Sequence, residues 1–294
     1  MDSIVKTFTD RVETPSSILI EDIQPRIDCG RYPVKREIGD SLEVTADIFR
    51  EGHDQLAAVI LYKPQDAETW SEAGMAFVDN DRWSGVFPLD RNTRYHYTVQ
   101  AFPDVYGSWV YEIQKKTGAD LEVGSEIIEG LQIVEETLSR AGPEDAAIIR
   151  EAITGARDAD DQTVAVQHLT GDELAAAVYR NRSRKGAAQH EPALEVVVDR
   201  VAARFAAWYS MFPRSAGTVP NTSATFLDVE SQLPRIAGMG FDVLYFTPIH
   251  PIGTTNRKGK NNTLNALPDD PGVPYGIGSL GGGHDAIEPT LGTI

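Results

Sequence analysis

The stretch HPIGTTNRKGKNNTLN, residues 250–265, concentrates groups that can do chemistry. It carries Arg257, Lys258 and Lys260, no acid, glycines at 253 and 259, and four asparagines. It follows FDVLYFTP, a short apolar run that reads as a buried strand. A glycine-flanked turn lets backbone N–H groups approach an anion, and lysines neutralise it. The pattern is not a Walker A loop: five residues separate Gly253 from Gly259, and Lys260 precedes Asn261 rather than Ser or Thr. Spacing alone leaves two readings open, a solvated cationic turn and a site for an anion or a polyol.

The other reactive-looking groups are weaker signals. PYGIGSLGGGHD is glycine-rich but lacks the strand, G-x-G-x-x-G and helix register of a dinucleotide site. His284 and Asp285 are adjacent, and adjacent side chains seldom address one atom; no G-x-S-x-G nucleophile motif accompanies them. A helix-entry or loop-packing role suits the pair better. Tyr275 either stacks on a sugar or packs its loop. The six histidines show no metal-ligand spacing. The single cysteine, Cys29, excludes an internal disulfide and reads as an incidental small residue.

Composition bounds the classes. The chain has 294 residues, 41% hydrophobic and 24% charged, which is ordinary for a globular protein. No apolar run approaches the ~20 residues of a membrane span. The N-terminus has no signal-peptide core, so residues 1–16 are expected to be a loose tail on a cytoplasmic protein. The acidic balance argues against nucleic-acid binding. It is uneven, with fourteen acids against three arginines between Asp120 and Ala175.

The elements that must position the loop follow from periodicity. Residues 17–113 read as β-rich. Leu42, Val44, Ala46 and Ile48 share one face, Tyr95, Tyr97 and Val99 alternate with polar neighbours, and AAVILYK and SWVYEI are further strand candidates. Turn clusters between them suggest an antiparallel sandwich. Residues 119–186 change period: Ile127, Leu131, Val134 and Leu138 repeat at helical spacing. AGPEDAAIIREAITGA carries start and stop signals at Pro143 and Gly155, and GDELAAAVYRNRSRKG reads as a third helix ending in cations at Gly186. ALEVVVDRV returns to strand, so the helices read as an insertion between two sandwich strands. From Arg204, FAAWYSMFPRS reads as a strand, TFLDVESQLPRIAGMG as one helix and FDVLYFTPI as a strand, the parallel-sheet unit.

Five segments carry a resemblance: CGRYPVKREIGDSLEVTADIFREGHD, FAAWYSMFPRS, GMGFDVLYFTPIHPIG, NRKGKNNTL and GGGHDAIEPTLGT. Together they resemble the α-1,4-glucan:maltose-1-phosphate maltosyltransferase family, a branch of the α-amylase superfamily, over residues 17–294. The resemblance implies a multidomain chain: an N-terminal β-sandwich (17–118 and 190–203), an α-helical insertion (119–189), and the start of a truncated (β/α)8 barrel (204–294). It implies transfer of maltosyl units from α-maltose 1-phosphate to the non-reducing end of an α-1,4-glucan, with release of phosphate and retention of configuration. An aspartate nucleophile and a glutamate acid/base do this chemistry. The loop would follow the second barrel strand, at the face where such barrels build sites. There Lys258 and Asn262 would bind the donor, with Tyr275 and Ser279 on the same side. No cofactor or metal is implied, and a homodimer through the N-terminal domains is.

About 90 residues follow Arg204, against roughly 250 for a whole barrel. The expectation is therefore a fragment whose nucleophile and acid/base lie beyond residue 294 and which is inactive alone. Two other readings are a carbohydrate-binding or assembly module without catalysis, and an amylase-like glycoside hydrolase fragment.

Overall fold

The computed structural model describes residues 17–52 and 54–293; the loose tail expected over 1–16 lies outside them. The chain divides into two compact units, residues 1–199 and 200–294.

The described residues of the first unit form nine strands: β1 (Ile18–Gln24), β2 (Val34–Glu37), β3 (Ser41–Arg50), β4 (Leu56–Pro64), β5 (Ser71–Asp79), β6 (Arg82–Pro88), β7 (Arg94–Pro103), β8 (Ala188–Gln189) and β9 (Leu194–Asp199). They form one hydrogen-bonded sheet in the order β1-β3-β6-β5-β4-β7-β9-β2, with β8 also on β7. Pairing is antiparallel except between β2 and β9. The sheet curls over one core, which takes Ile23, Leu42, Val44, Ile48, Ile60, Phe87, Tyr97 and Val196 from strands across its whole width. This is the expected sandwich, made by curling one sheet rather than stacking two. Tyr97 ties the curl: its hydroxyl donates to the Pro25 carbonyl at 2.5 Å, just beyond β1, and burial pushes its pKa well above the usual tyrosine range.

Local chemistry explains these strands. Leu42, Val44, Ala46 and Ile48 are all at most 1% exposed, the period-2 face the sequence suggested. Burying each such aliphatic side chain contributes roughly 1.5–3 kcal/mol, somewhat less for Ala46. Asn80 and Asp81 join β5 to β6 with φ of 45° and 66°. Both residues of a two-residue hairpin turn of this hand need positive φ, and Asn and Asp tolerate it.

Between β7 and β9 the chain forms α1 (Val105–Gly118), α2 (Gly124–Leu138), α3 (Pro143–Arg157), α4 (Gln162–Thr170) and α5 (Asp172–Arg180). The expected insertion is thus present between two paired strands. Its details differ from the sequence reading: the helices begin at Val105 rather than at 119, and α4 has no counterpart among the three helices expected. SWVYEI is helix, not strand. Asp104 caps α1 by accepting from the Gly107 N–H at 2.8 Å, and Trp109 and Ile113, four apart, are buried while Tyr111 is exposed. The last helix stops at Arg180 rather than at Gly186. Asn181 turns back on the Ala177 carbonyl at 2.8 Å, and Arg182 and Arg184 then lie over the Phe102 ring at 4.8 and 4.0 Å. A shared core of Trp109, Ile113, Val134, Ile149, Leu169, Leu174 and Val178 holds the bundle. Among the described residues no helix is long and apolar enough to cross a membrane.

The second unit contains β10 (Trp208–Met211), α6 (Phe226–Glu230), α7 (Leu233–Gly238) and β11 (Val243–Phe246). β10 and β11 pair in parallel, Trp208 opposite Val243 through Met211 opposite Phe246. This strand–helix–strand unit is the repeating module of a (β/α)8 barrel. The single helix expected over 225–240 is two short ones. A capping box between Thr225 and Asp228 starts the first, and Pro234, which has no N–H to donate, sits in the opening turn of the second. The apolar core is thin: Val229, Ile236 and Leu291 are buried, but Phe205 is 80% and Leu264 80% exposed.

That contrast generates a prediction. Limited proteolysis of the chain is expected to cut first within 253–286, leaving 17–199 resistant. Early cleavage inside β3 to β7, read by mass spectrometry, contradicts it.

A second prediction concerns pH. The His190 backbone N–H donates to the Val99 carbonyl at 3.0 Å, and its own carbonyl accepts from Thr98 Oγ1 at 2.7 Å. Burial pushes its pKa below the ordinary value, outweighing the opposing pull of the Pro192 backbone. The unfolded chain then binds the proton more readily than the folded one. The stability this histidine contributes is present above its unfolded pKa of about 6.5 and is lost as pH falls toward its folded value. Chemical denaturation of the first unit should show its midpoint dropping below about pH 6.5, and His190→Gln should flatten that limb. An unchanged limb in the variant assigns the titration elsewhere.

Candidate functional site

Parallel strands of this kind place ligand sites beyond their C-terminal ends. The chain beyond β10 and β11 builds a cavity of about 1260 Å³. Arg214 and Thr247, which closely follow the two strands, line it, together with His250, Arg257, Lys260 and Ser279.

The loop after β11 has no ladder of its own, so its shape comes from three close passages. Gly253 N–H donates to the Gly276 carbonyl at 2.6 Å, and Gly278 N–H to the Pro251 carbonyl at 2.8 Å. A Cβ at Gly253 would lie 2.8 Å from the Gly278 carbonyl oxygen, so the approach requires glycine. Gly259 is the second such point. Its N–H donates to the Thr263 carbonyl at 3.0 Å, and an added Cβ would lie 2.6 to 2.8 Å from Thr263 Oγ1, the Asn265 carbonyl and Asp270 Oδ2. The third passage joins 249–252 to 286–288. Glu288 N–H donates to the Ile249 carbonyl at 2.8 Å, and Glu288 Oε2 accepts from the Ile252 N–H at 3.1 Å. His250 Nδ1 donates to the Ala286 carbonyl at 3.0 Å. Asn256, Asn261 and Asn262 have φ of 54°, 55° and 60°. They are turn residues here, since asparagine tolerates the left-handed region.

The sequence-derived residues divide. Ser279 lines the cavity, and its Oγ accepts from the Gly281 N–H at 3.1 Å. Lys258, Asn262 and Tyr275 belong to the same loops but not to the lining; Tyr275 is 63% exposed. Their neighbours Arg257, Lys260 and Asn261 line it instead. His284 packs its ring 5.3 Å from that of His250, while Asp285 Oδ1 accepts from the Gly283 N–H at 3.2 Å. That is loop packing. Cys29 is exposed in a turn. Among the described residues no three His, Cys, Asp or Glu side chains could hold a metal ion.

Of the three acids that line the cavity, Asp269 is exposed and the other two hold backbone groups. Asp270, 4% exposed, accepts from the Leu267 N–H at 2.7 Å, and Glu288 holds Ile252 and the Thr290 hydroxyl, the latter at 3.2 Å. The cations are less committed. Arg214 donates from Nη2 to the Gly272 carbonyl at 3.1 Å, and burial, reinforced by the charge of Arg257, pushes its pKa below the usual arginine value. Sequence reasoning passed over Arg214, Thr247 and His250. The available signal was positional: FPRS and TPIH are what follow the two parallel strands.

Residues 16–200 match the family model for alpha-1,4-glucan:maltose-1-phosphate maltosyltransferase, domain N/S. Curated proteins of the same name match along nearly the whole chain. The one from Myxococcus xanthus is 44% identical over 290 residues, covering 96% of this chain and 44% of its own length. The one from Burkholderia pseudomallei is 46% identical over 282 residues, 94% of this chain and 25% of its own. The one from Rhodospirillum rubrum is 40% identical over 291 residues, 94% and 42%. The chain thus spans between a quarter and under half the length of these relatives.

The glycine geometry yields a prediction. Gly259→Ala should destabilise the loop by about 1–3 kcal/mol, the usual cost of overpacking. Hydrogen exchange should rise across 253–276 while 17–199 is unchanged. Unaltered exchange in that loop removes the close approach as its organising contact.

Proposed function

The chain belongs to the α-1,4-glucan:maltose-1-phosphate maltosyltransferase family, and on that premise we propose that it serves α-glucan synthesis by maltosyl transfer. The donor is α-maltose 1-phosphate, the acceptor the non-reducing end of an α-1,4-glucan, and phosphate leaves. The observation that carries this reading is coverage: the similarity to maltosyltransferases runs through both units, at 40–46% identity in three of them.

The reading includes retention through a covalent intermediate, with an aspartate nucleophile and a glutamate acid/base. We assign the pair to the portion of the longer relatives that this chain does not match, and the segment alone is expected to be inactive. The sandwich and helices are assigned to assembly, as a homodimer through the first unit, in the cytoplasm. The loop of residues 250–265 is assigned to the donor: Lys258 and Asn262 as contacts, Tyr275 and Ser279 beside them.

The test is a chimera in which residues 17–293 replace the matching segment of the Myxococcus xanthus relative. It should release phosphate from maltose 1-phosphate with a maltooligosaccharide acceptor, and the 294-residue chain alone should not. Lys258→Ala in the chimera should lower donor kcat/KM about ten- to hundredfold, the loss of one charge-assisted hydrogen bond of roughly 1.5–3 kcal/mol. Lys260→Ala should cost several-fold at most. The reverse order moves the donor contact to the lysine that lines the cavity. Equal, mild effects reduce the loop to a cationic turn.

A further inference from the structure

The sandwich and the helical bundle have separate interiors. Among the described residues, the core that holds Leu42, Ile60 and Tyr97 and the core that holds Trp109, Ile149 and Leu169 share no side chain. The chain passes between them twice, at 103–105 on the way out and at 181–187 on the way back. Two crossings leave a rotation about the line that joins them. The angle of the bundle therefore depends on what bridges it to the sheet.

The first crossing is pinned by the backbone of Gln55. Its carbonyl accepts from the Asp104 N–H at 2.9 Å, and its N–H donates to Ser108 Oγ at 2.8 Å. The second is held by side chains. Arg182 lies over the Tyr179 ring of α5 at 3.7 Å and over the Phe102 ring of β7 at 4.8 Å. Arg184 lies over the same Phe102 ring at 4.0 Å, and its Nη2 donates to Glu72 Oε2 of β5 at 2.5 Å. The Tyr179 hydroxyl reaches Gly74 of β5, where an added Cβ would lie 2.6 Å from it. Phe102 is fully buried, in a small cluster with Ala57, Val59 and Leu61 on the sheet face opposite Ala58, Ile60 and Ala101. Tyr179, Arg182, Phe102, Arg184 and Glu72 thus run as one ladder from α5 to β5.

Charge makes the ladder conditional. Two guanidiniums share one ring, and Glu72 is the single acid among them. Burial, and then the charge of Arg182, hold the Arg184 pKa below the usual arginine value, while Glu72 pulls it the other way. The planar guanidinium suits an aromatic face in a way an ammonium does not.

We propose that this ladder is a latch, which fixes the helical bundle at one angle on the sandwich and, when open, lets it swing about the Gln55 crossing with both cores intact. Cation–π contacts and one partly exposed ion pair are individually weak, so the latch opens more readily than either core. Where the first unit serves assembly, as assigned above, the latch also sets the angle at which the bundle meets a second copy. Only that consequence rests on the assignment.

The experiment places nitroxide labels on the 294-residue chain, at the native Cys29, exposed in the turn after β1, and at Glu129→Cys on an exposed position of α2. Pulsed electron spin resonance reads the distance between them. The otherwise wild-type chain should give one narrow distribution. Glu72→Gln, and Arg182→Gln combined with Arg184→Gln, should each add a second population while circular dichroism stays unchanged. Arg184→Lys, which keeps the charge and loses the plane, should add a smaller one. Hydrogen exchange at 181–187 should rise about tenfold in the double variant and stay unchanged in both cores. If the double variant fails to fold, Gly74→Ala decides, because its methyl displaces only the Tyr179 hydroxyl: a second population supports the latch, and an unchanged distribution overturns it. A broad distribution in the wild type, or one that neither Glu72→Gln nor the double variant alters, also overturns it. Sedimentation of the same proteins treats assembly separately. A variant whose bundle swings while its sedimentation stays that of the wild type overturns the consequence for assembly and supports the latch.

Discussion

Residues 247–293 contain no α-helix and no paired strand, only short 3-10 turns and isolated bridges. Such a stretch holds a shape only if its backbone polar groups find partners within itself. The close approach of Gly253 to Gly276 and Gly278 is where that happens, and the remainder of the cavity wall depends on it. It fixes where 250–253 leaves β11, hence where Arg257 to Asn262 project, and it brings 276–282 back so that Ser279 joins the lining. The requirement is steric before it is chemical: a side chain at Gly253 would collide with a carbonyl oxygen rather than with something that can swing aside.

Electrostatics divides the molecule along different lines from net charge. In the helical bundle three of the acids form ion pairs: Asp145 with Arg180 at 2.5 Å, Glu126 with Lys116 at 2.5 Å, and Glu135 with Arg157. Their cations stay in contact with solvent, which screens such pairs, so the bundle rests chiefly on Trp109, Ile149 and Leu169. In the second unit acids act as backbone staples. Asp228 closes a capping box, Asp270 holds Leu267 and Glu288 holds Ile252. One accepted N–H leaves such a carboxylate its charge and further lone pairs, and Glu288 still acts on Arg214 electrostatically.

What could be read from the sequence follows how locally each feature is encoded. β3 and β7 were legible because the alternation of Leu42 to Ile48 and of Tyr95 to Val99 runs long enough to separate a period of 2 from one of 3.6. SWVYEI was not. In a run of six, Trp109, Tyr111 and Ile113 fit alternation as well as Trp109 and Ile113 fit a helix, and the deciding group, the Asp104 cap, lies outside the run. The loop of 250–265 announced itself through composition, yet which of its cations face the cavity depends on left-handed backbone at Asn256 and Asn261, which no spacing rule resolves. Arg214 and Thr247 were invisible for a plainer reason. They are 33 residues apart in the chain and meet at one wall only because two strands run parallel.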